Sequence, residues 1–490
     1  MRHTLRRSCS ACAKSKHSCD LGTPRCSRCI KRKVQCSYAN EPLTGPPRGP
    51  SSITAPPLSQ NTTIVPLGTR FASVDPFESY PQTRLPREHV QRLIHSFLHK
   101  IAFQYYPLDL SATSNPFLVS WWPLALGDPA LFHVSLQTAC LDEELLAQKG
   151  FQASTVLMAD SVALLRRKVE DSTLAVQDGT MNSVITLAAI EFGKGNTRVS
   201  EMHVAGVKRL VNLRGGISAV RQTSPLTARM VSWVSLLVMG HPQFDTQDDV
   251  GIGDGIPPIP EWQLDSPIVD DKLSTLSIDL PVKNVLIRLR RVFQRTQSGA
   301  PFPNTRLHDL TCFVVHRLLS SAPNHTTDPP ASPISECLRY GIVLYMFIIQ
   351  GPTYFSHAVI MNTLVASFVQ HLEQLESSAH RDINIWLAAV GLVASTGTPH
   401  YQWFVERAQR VVATTTTTSQ PQSWVNTLAC IKNVLWLERL PHRDDIFRPH
   451  WDMVFDSHHP EMPSMLPLRR LQISSSANQR LVTPRAFLSS

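Results

Sequence analysis

Six cysteines lie within the first 36 of 490 residues: Cys9, Cys12, Cys19, Cys26, Cys29 and Cys36. They read C-x2-C-x6-C, then six residues, then C-x2-C-x6-C again, one pattern used twice at an offset of seventeen positions. A C-x-x-C pair presents two thiolates to one ion, so the repeat suggests two metals in related halves. Tetrahedral zinc takes four ligands, with sulfur at about 2.3 Å. Two zinc ions need eight coordination positions, and six sulfurs supply them if two of the sulfurs bridge. The repeat suggests one bridge from each half. Rival readings are weaker. Disulfides need an oxidising compartment, and the opening MRHTLRRSCSAC has no apolar stretch of the kind a secretory signal carries. An iron–sulfur cluster would use four cysteines and leave two idle. The remaining cysteines, Cys140, Cys312, Cys337 and Cys430, stand singly in apolar contexts and are expected to be small buried hydrophobes.

Charge indicates what such a cluster serves. The chain carries 47 Lys and Arg against 38 Asp and Glu, a formal net charge of +9. Residues 1–40 hold ten of the cations (Arg2, Arg6, Arg7, Lys14, Lys16, Arg25, Arg28, Lys31, Arg32 and Lys33) and one acid, Asp20. The other 450 residues balance at 37 of each sign. All of the positive excess therefore sits on the cysteine segment. Six thiolates and two Zn²⁺ remove only two units of it. A dense basic patch on a metal-held scaffold is the footprint of a nucleic-acid binder. A solvated tail or an import signal at Lys31–Lys33 would need no metal.

At this point the segment Cys9–Cys36 resembles the fungal binuclear zinc cluster DNA-binding domain, the six-cysteine, two-zinc class of transcription factor. The likeness covers all six cysteines and their spacing, Pro24 two residues before Cys26, Lys16 four residues after Cys12, and Tyr38 two beyond Cys36. It implies that Cys9 and Cys26 bridge. One zinc would be held by Cys9, Cys12, Cys19 and Cys26, the other by Cys26, Cys29, Cys36 and Cys9. It also implies that the short helix after Cys9 enters the major groove and reads a CGG-like triplet in double-stranded DNA. Lys16 is then the main base reader and Lys14 a phosphate contact, with His17, Arg7, Arg28, Lys31, Arg32 and Lys33 as further DNA-binding candidates. Three positions depart from the family pattern: Ala13, Ser15 and Ser18 stand where basic residues are usual. A zinc-held interaction module or co-regulator with weak or no DNA specificity is the alternative reading.

The elements that must carry this segment divide simply. Forty residues cannot bury enough apolar surface alone, so metal binding is expected to supply the folding energy of residues 1–40. Residues 41–87 hold ten prolines and little apolar periodicity, which reads as a disordered linker. No heptad run follows the cluster, so nothing supports a coiled-coil dimer, and a homodimer by another route stays open. Residues 88–455 read as helices. Val90, Leu93, Ile94, Phe97, Leu98, Ile101 and Tyr105 share one face. Further helical patterns fall near 129–146, 153–171, 180–193, 200–214, 225–240, 281–297, 306–321, 334–351, 357–378, 383–396, 401–413 and 422–439. The run MHVAGVKRLVNLRGGI, 202–217, resembles the helix ending in Arg-Gly-Gly of the regulatory domain that accompanies many fungal zinc clusters, with Gly215 suited to the left-handed closing position. Segments 128–144 and 423–455 resemble other helices of that domain. The tail, 456–490, is Ser- and Pro-rich and reads as disordered.

The expected fold class is mainly α: a small two-zinc cluster with two short helices, a Pro-rich linker and a large all-α regulatory domain. No apolar run reaches the roughly 18 residues of a membrane span. GIGDGI, 251–256, mimics a phosphate loop, but Pro257 and Pro258 deny it a following helix. No nucleophile elbow, H-E-x-x-H pair or G-K-[ST] loop occurs, so an enzyme is not expected. The reading is a nuclear, DNA-binding regulator of RNA polymerase II transcription that contacts the transcription machinery. A small-molecule effector among the helices stays open.

Overall fold

Apolar residues at helical spacing, closed by prolines and glycines, account for nearly all of the architecture. The structure is a computed structural model of the 490-residue chain. It describes residues 10–15, 26–35, 80–106, 109, 111–148, 150–263, 277–298, 304–320, 332–351, 357–375, 380–413, 424–438 and 446–455. The chain divides into two compact units, Met1–Val74 and Asp75–Ser490. Among the described residues the repeated elements are helical, and one isolated bridge, Thr246 to Ile256, is the β pairing seen.

In the first unit two five-residue helices are described, α1 (Ser10–Lys14) and α2 (Ser27–Lys31). The second unit starts from Tyr80–Pro86, which already packs on the body: Tyr80 stacks on Phe132 at 5.7 Å and Arg84 pairs with Asp160 at 2.8 Å. Helix α3 (Arg87–Ser96) runs through a wider π turn at Phe97–Ile101 into α4 (Ala102–Tyr105). The expected face holds, with Val90, Leu93, Phe97, Ile101 and Tyr105 all buried. A further π turn at Phe117–Trp121 leads into α5 (Trp122–Gly127), which apolar periodicity had not marked.

Three helices of this half are buried around most of their circumference: α6 (Pro129–Ala147), α9 (Asp178–Gly193) and α12 (Pro225–Met239). Asp128 caps α6 by accepting from the Ala130 and Leu131 amides, and Pro129 fills the first position, where no amide is needed. Helix α9 sits centrally and packs against α6, α7 (Gln152–Glu170), α10 (Thr197–Leu213) and α12. A short α8 (Ser172–Ala175) precedes it. Gly215 closes α10 at φ 98°, as expected, and Gly216 at φ 92° starts α11 (Gly216–Thr223) at once. That second turn of direction was not foreseen.

The remaining helices, Leu280–Ser298, Asn304–Ser320, Pro333–Gln350, Ala358–Glu373, Arg381–Ala394, Tyr401–Ala413, Trp424–Val434 and Arg448–Phe455, surround Pro333–Gln350 and Arg381–Ala394. The apolar run 341–350 lies in this core, every residue buried. Gly391 lets Phe404 approach so closely that a Cβ there would sit 1.9 Å from the ring. The helix expected over 422–439 stops at Val434. Tertiary hydrogen bonds replace its last turn: the Trp386 indole donates to the Leu435 carbonyl at 2.9 Å, and the Leu437 amide donates to the Tyr345 hydroxyl at 2.9 Å. No described helix is long and apolar enough to cross a membrane.

Candidate metal centre and nucleic-acid interface

Helix α2 begins where Cys26 takes an extended backbone and its sulfur accepts the Cys29 amide at 3.4 Å. The sulfur thus performs the task that Ser or Asp performs at most helix starts, and a thiolate there also faces the positive end of the helix. The helix ends in cations, Arg28 and Lys31 in its last turn, and Lys33 turns the chain at φ 52°. One turn of helix therefore has its anion at one end and its cations at the other.

The sulfurs of Cys12, Cys26 and Cys29 all lie within 4.8 Å of one another and are buried, at 3%, 0% and 2% exposure. Cys12 and Cys26 sulfurs are 3.7 Å apart. Zinc–sulfur bonds of about 2.3 Å at a tetrahedral angle place two sulfurs about 3.8 Å apart. The spacing fits two ligands on one ion and is far too long for a disulfide bond of about 2 Å. Among the described residues Ala11 is the apolar neighbour of the sulfurs, and the ligand groups brought together are thiols. Zinc would here be held by these sulfurs, and its charge would offset that of their thiolates. Cys9, Cys19 and Cys36 lie outside the described residues, as do Arg7, Lys16 and His17. Lys14, Arg28, Lys31, Arg32 and Lys33 are described, and all are exposed. Ser15, also exposed, spends its hydroxyl on the Ala11 carbonyl of its own helix at 2.8 Å.

The comparisons with known proteins agree with this geometry. Residues 7–44 match the family described as the fungal Zn(2)-Cys(6) binuclear cluster domain, and residues 92–240 match the fungal specific transcription factor domain. Over these two segments the chain is similar to fungal zinc cluster transcription factors. It is similar to a Zn(2)-C6 fungal-type transcription factor, aoiH, of Aspergillus oryzae, at 34% identity over 84 residues, 17% of this chain and 21% of that protein. It is also similar to the transcription factor gsfR2 of Penicillium aethiopicum, at 48% identity over 33 residues, 7% of this chain and 8% of that protein. The chain thus matches about a fifth of the first relative's length and less of the second's. No solved structure matches it. The two matched descriptions name a zinc cluster and a transcription factor domain.

The helical body holds polar groups that sequence reasoning missed. Asp309 is 5% exposed and takes two guanidinium forks at once, from Arg221 of α11 and Arg229 of α12. Burial opposes its charge, yet the hydrogen bonds and charges of Arg229 and Arg221 outweigh that and lower its pKa. Three residues 80 and 88 positions apart carry no local signal of this pairing. Nearby, Cys312 Sγ and His316 Nδ1 lie 3.7 Å apart, a contact of the kind nucleophilic enzymes use. Burial pushes the Cys312 thiol up to about 12 and the His316 imidazole down to about 4. His316 Nδ1 also lies 2.7 Å from the Cys312 carbonyl, which places its proton there as a donor. The proton of Cys312 accordingly stays on sulfur. Cys140 and Cys337 are buried thiols of the same sort, and Cys430 is half-buried. The glycine-rich loop 251–256 is closed on itself. The Gln247 amide donates to the Ile256 carbonyl, the Ile256 amide donates to the Asp245 carbonyl, and Asp248 accepts from Val250 and Ile252. A cavity of about 230 Å³ lies between Arg290, Gln294, Lys432, Leu435, Trp436 and Glu438. Trp121, Trp122, Trp233 and Trp386 are core, whereas Trp436 is half-buried and forms part of this cavity's wall.

Proposed function

We propose that the chain is a nuclear, sequence-specific DNA-binding regulator of RNA polymerase II transcription whose cluster holds two zinc ions and reads CGG-like triplets. Cys9, Cys12, Cys19 and Cys26 hold one ion, and Cys26, Cys29, Cys36 and Cys9 the other. The observation that carries this reading is the three-sulfur cluster at Cys12, Cys26 and Cys29, set beside exposed cations with no described acid on them. Cys26 suits a bridge because its sulfur lies within 4.8 Å of the sulfurs of both Cys12 and Cys29, and the residue is buried. The zinc supplies coordination energy and partial charge neutralisation. The chain's own residues do the recognising: Lys16 is the main base reader and Lys14 a phosphate contact, with Arg7, His17, Arg28, Lys31, Arg32 and Lys33 as further DNA contacts. The helical body, on this reading, meets the transcription machinery, and the cavity at Arg290, Lys432, Trp436 and Glu438 is where a small-molecule effector would fit.

The test is a gel shift of the full zinc-loaded chain on CGG-containing and scrambled duplexes, together with a metal count by mass spectrometry. Two zinc ions per chain and preference for the CGG duplex are expected. Equal affinity for both duplexes favours the zinc-held interaction module. No binding at low salt removes the DNA reading altogether.

A further inference from the structure

Helix α3 and the π turn that continues it carry a pair of metal-ligating side chains that the zinc cluster does not account for. The run HSFLH, 95–99, places His95 and His99 four residues apart. That is the spacing of the two histidines in H-E-x-x-H, where one helix face presents both imidazoles to one ion. Ser96 stands where that motif has its glutamate, so the run keeps the means of ligation and lacks the base for hydrolysis.

The backbone brings the pair together. Leu93, Phe97 and Ile101 are buried on the inward side of this element, and His95 and His99 are exposed. Residues four apart on an α-helix overshoot a full turn by about 40°. The turn at Phe97–Ile101 is wider, with the Ala102 amide donating to the Phe97 carbonyl five residues back, so the overshoot shrinks. The two rings accordingly lie close, with centres 4.3 Å apart and planes 34° from parallel. Zinc–nitrogen bonds of about 2.0–2.1 Å at a tetrahedral angle put two ring nitrogens about 3.3 Å apart. Rings with centres this near bring nitrogens to that spacing by rotation about their own side-chain bonds, without a change of backbone.

The surroundings leave the pair available. Among the described residues neither imidazole has a hydrogen-bond or ion-pair partner. The adjoining cations are tied elsewhere, Arg92 to Glu143 at 3.3 Å and Lys100 to Asp142. Those two carboxylates are engaged by the same bonds, so the protein offers two nitrogen ligands and water completes the coordination.

We propose that His95 and His99 form a two-imidazole site for a divalent transition ion, Zn²⁺, Ni²⁺ or Cu²⁺, on the helical body. Imidazole suits these ions, whereas Mg²⁺ and Ca²⁺ take oxygen ligands. The bound ion joins a residue of α3 to one inside the π turn and so pins that turn. The site lies in the second unit and does not rest on the DNA-binding reading.

The experiment is equilibrium dialysis of the full zinc-loaded chain against micromolar Ni²⁺, with bound nickel and retained zinc counted by mass spectrometry. The quantity read is nickel bound in excess of zinc released. Wild type is compared with His95→Gln, His99→Gln and the double variant, each checked for an unchanged far-ultraviolet helical signal. Each single variant is expected to lose one nickel ion per chain, the same loss as the double variant, because one imidazole alone does not hold the ion at that concentration. Equal nickel on wild type and double variant overturns the proposal. Single variants that keep the ion overturn it as well, because they reduce the site to a lone surface histidine.

Discussion

The cluster and the helical body are stabilised by different physics. In the described part of the cluster the buried groups are sulfurs, with one alanine beside them, and the larger apolar residues Ile30 and Val34 stand 58% and 39% exposed. In the body Trp386, Phe404, Tyr345 and scores of aliphatic side chains are withdrawn from water into a continuous core. On the proposed reading one unit takes its cohesion from zinc, and the other makes its own from apolar surface. The difference teaches that the two should fail under different insults.

Metal removal is the largest test of that contrast. Zinc contributes about 10–16 kcal/mol to modules it folds. A chelator should therefore abolish specific DNA binding completely while the far-ultraviolet helical signal, which comes mainly from the body, barely changes. A parallel collapse of that signal would show the body to depend on metal as well. Next in size is Asp309→Ala. It leaves Arg221 and Arg229 partly buried without their shared anion. Removing one partner of a buried pair costs about 3–5 kcal/mol. The midpoint of denaturant unfolding should fall by that measure, with zinc content unchanged.

The smallest expected effect, taken one residue at a time, concerns protons. Burial pushes the pKa of His308 and His316 from 6.5 down to about 4, and that of His357 to about 3. Each imidazole stays neutral in the folded body but protonates near 6.5 when the chain unfolds. Stability is thus full above that pH and falls as the pH drops through it, until the folded groups themselves titrate. Each histidine contributes about 1.4 kcal/mol per pH unit in that window. Unfolding followed from pH 7 to 4.5 should show the decline, and His316→Gln should flatten it by about one proton's share. An unchanged slope would mean that His316 stays solvated in the folded state.

How legible each unit was follows from the same contrast. The ligands of the cluster are close in sequence, so spacing alone brought Cys12, Cys26 and Cys29 together as the structure does. The heptad-like face of α3 and the glycine at 215 were legible because helix period and left-handed closure are local properties. The π turn at Phe97–Ile101 and the early end of the helix at Val434 were not. Both depend on neighbours distant in the chain, as the Trp386 bond to Leu435 makes plain. The same holds for Asp309, whose partners lie on two other helices.

The double clasp on Asp309 also bears on where this protein could be cut. The matched transcription factor segment ends at residue 240, whereas the carboxylate that Arg221 and Arg229 share belongs to a helix starting at Asn304. A fragment ended at the family boundary would expose the face of α12 that meets this helix and strand two guanidiniums. The stretch recognisable by descent is therefore shorter than the stretch that stands alone, and heredity and mechanical independence part company within this one body.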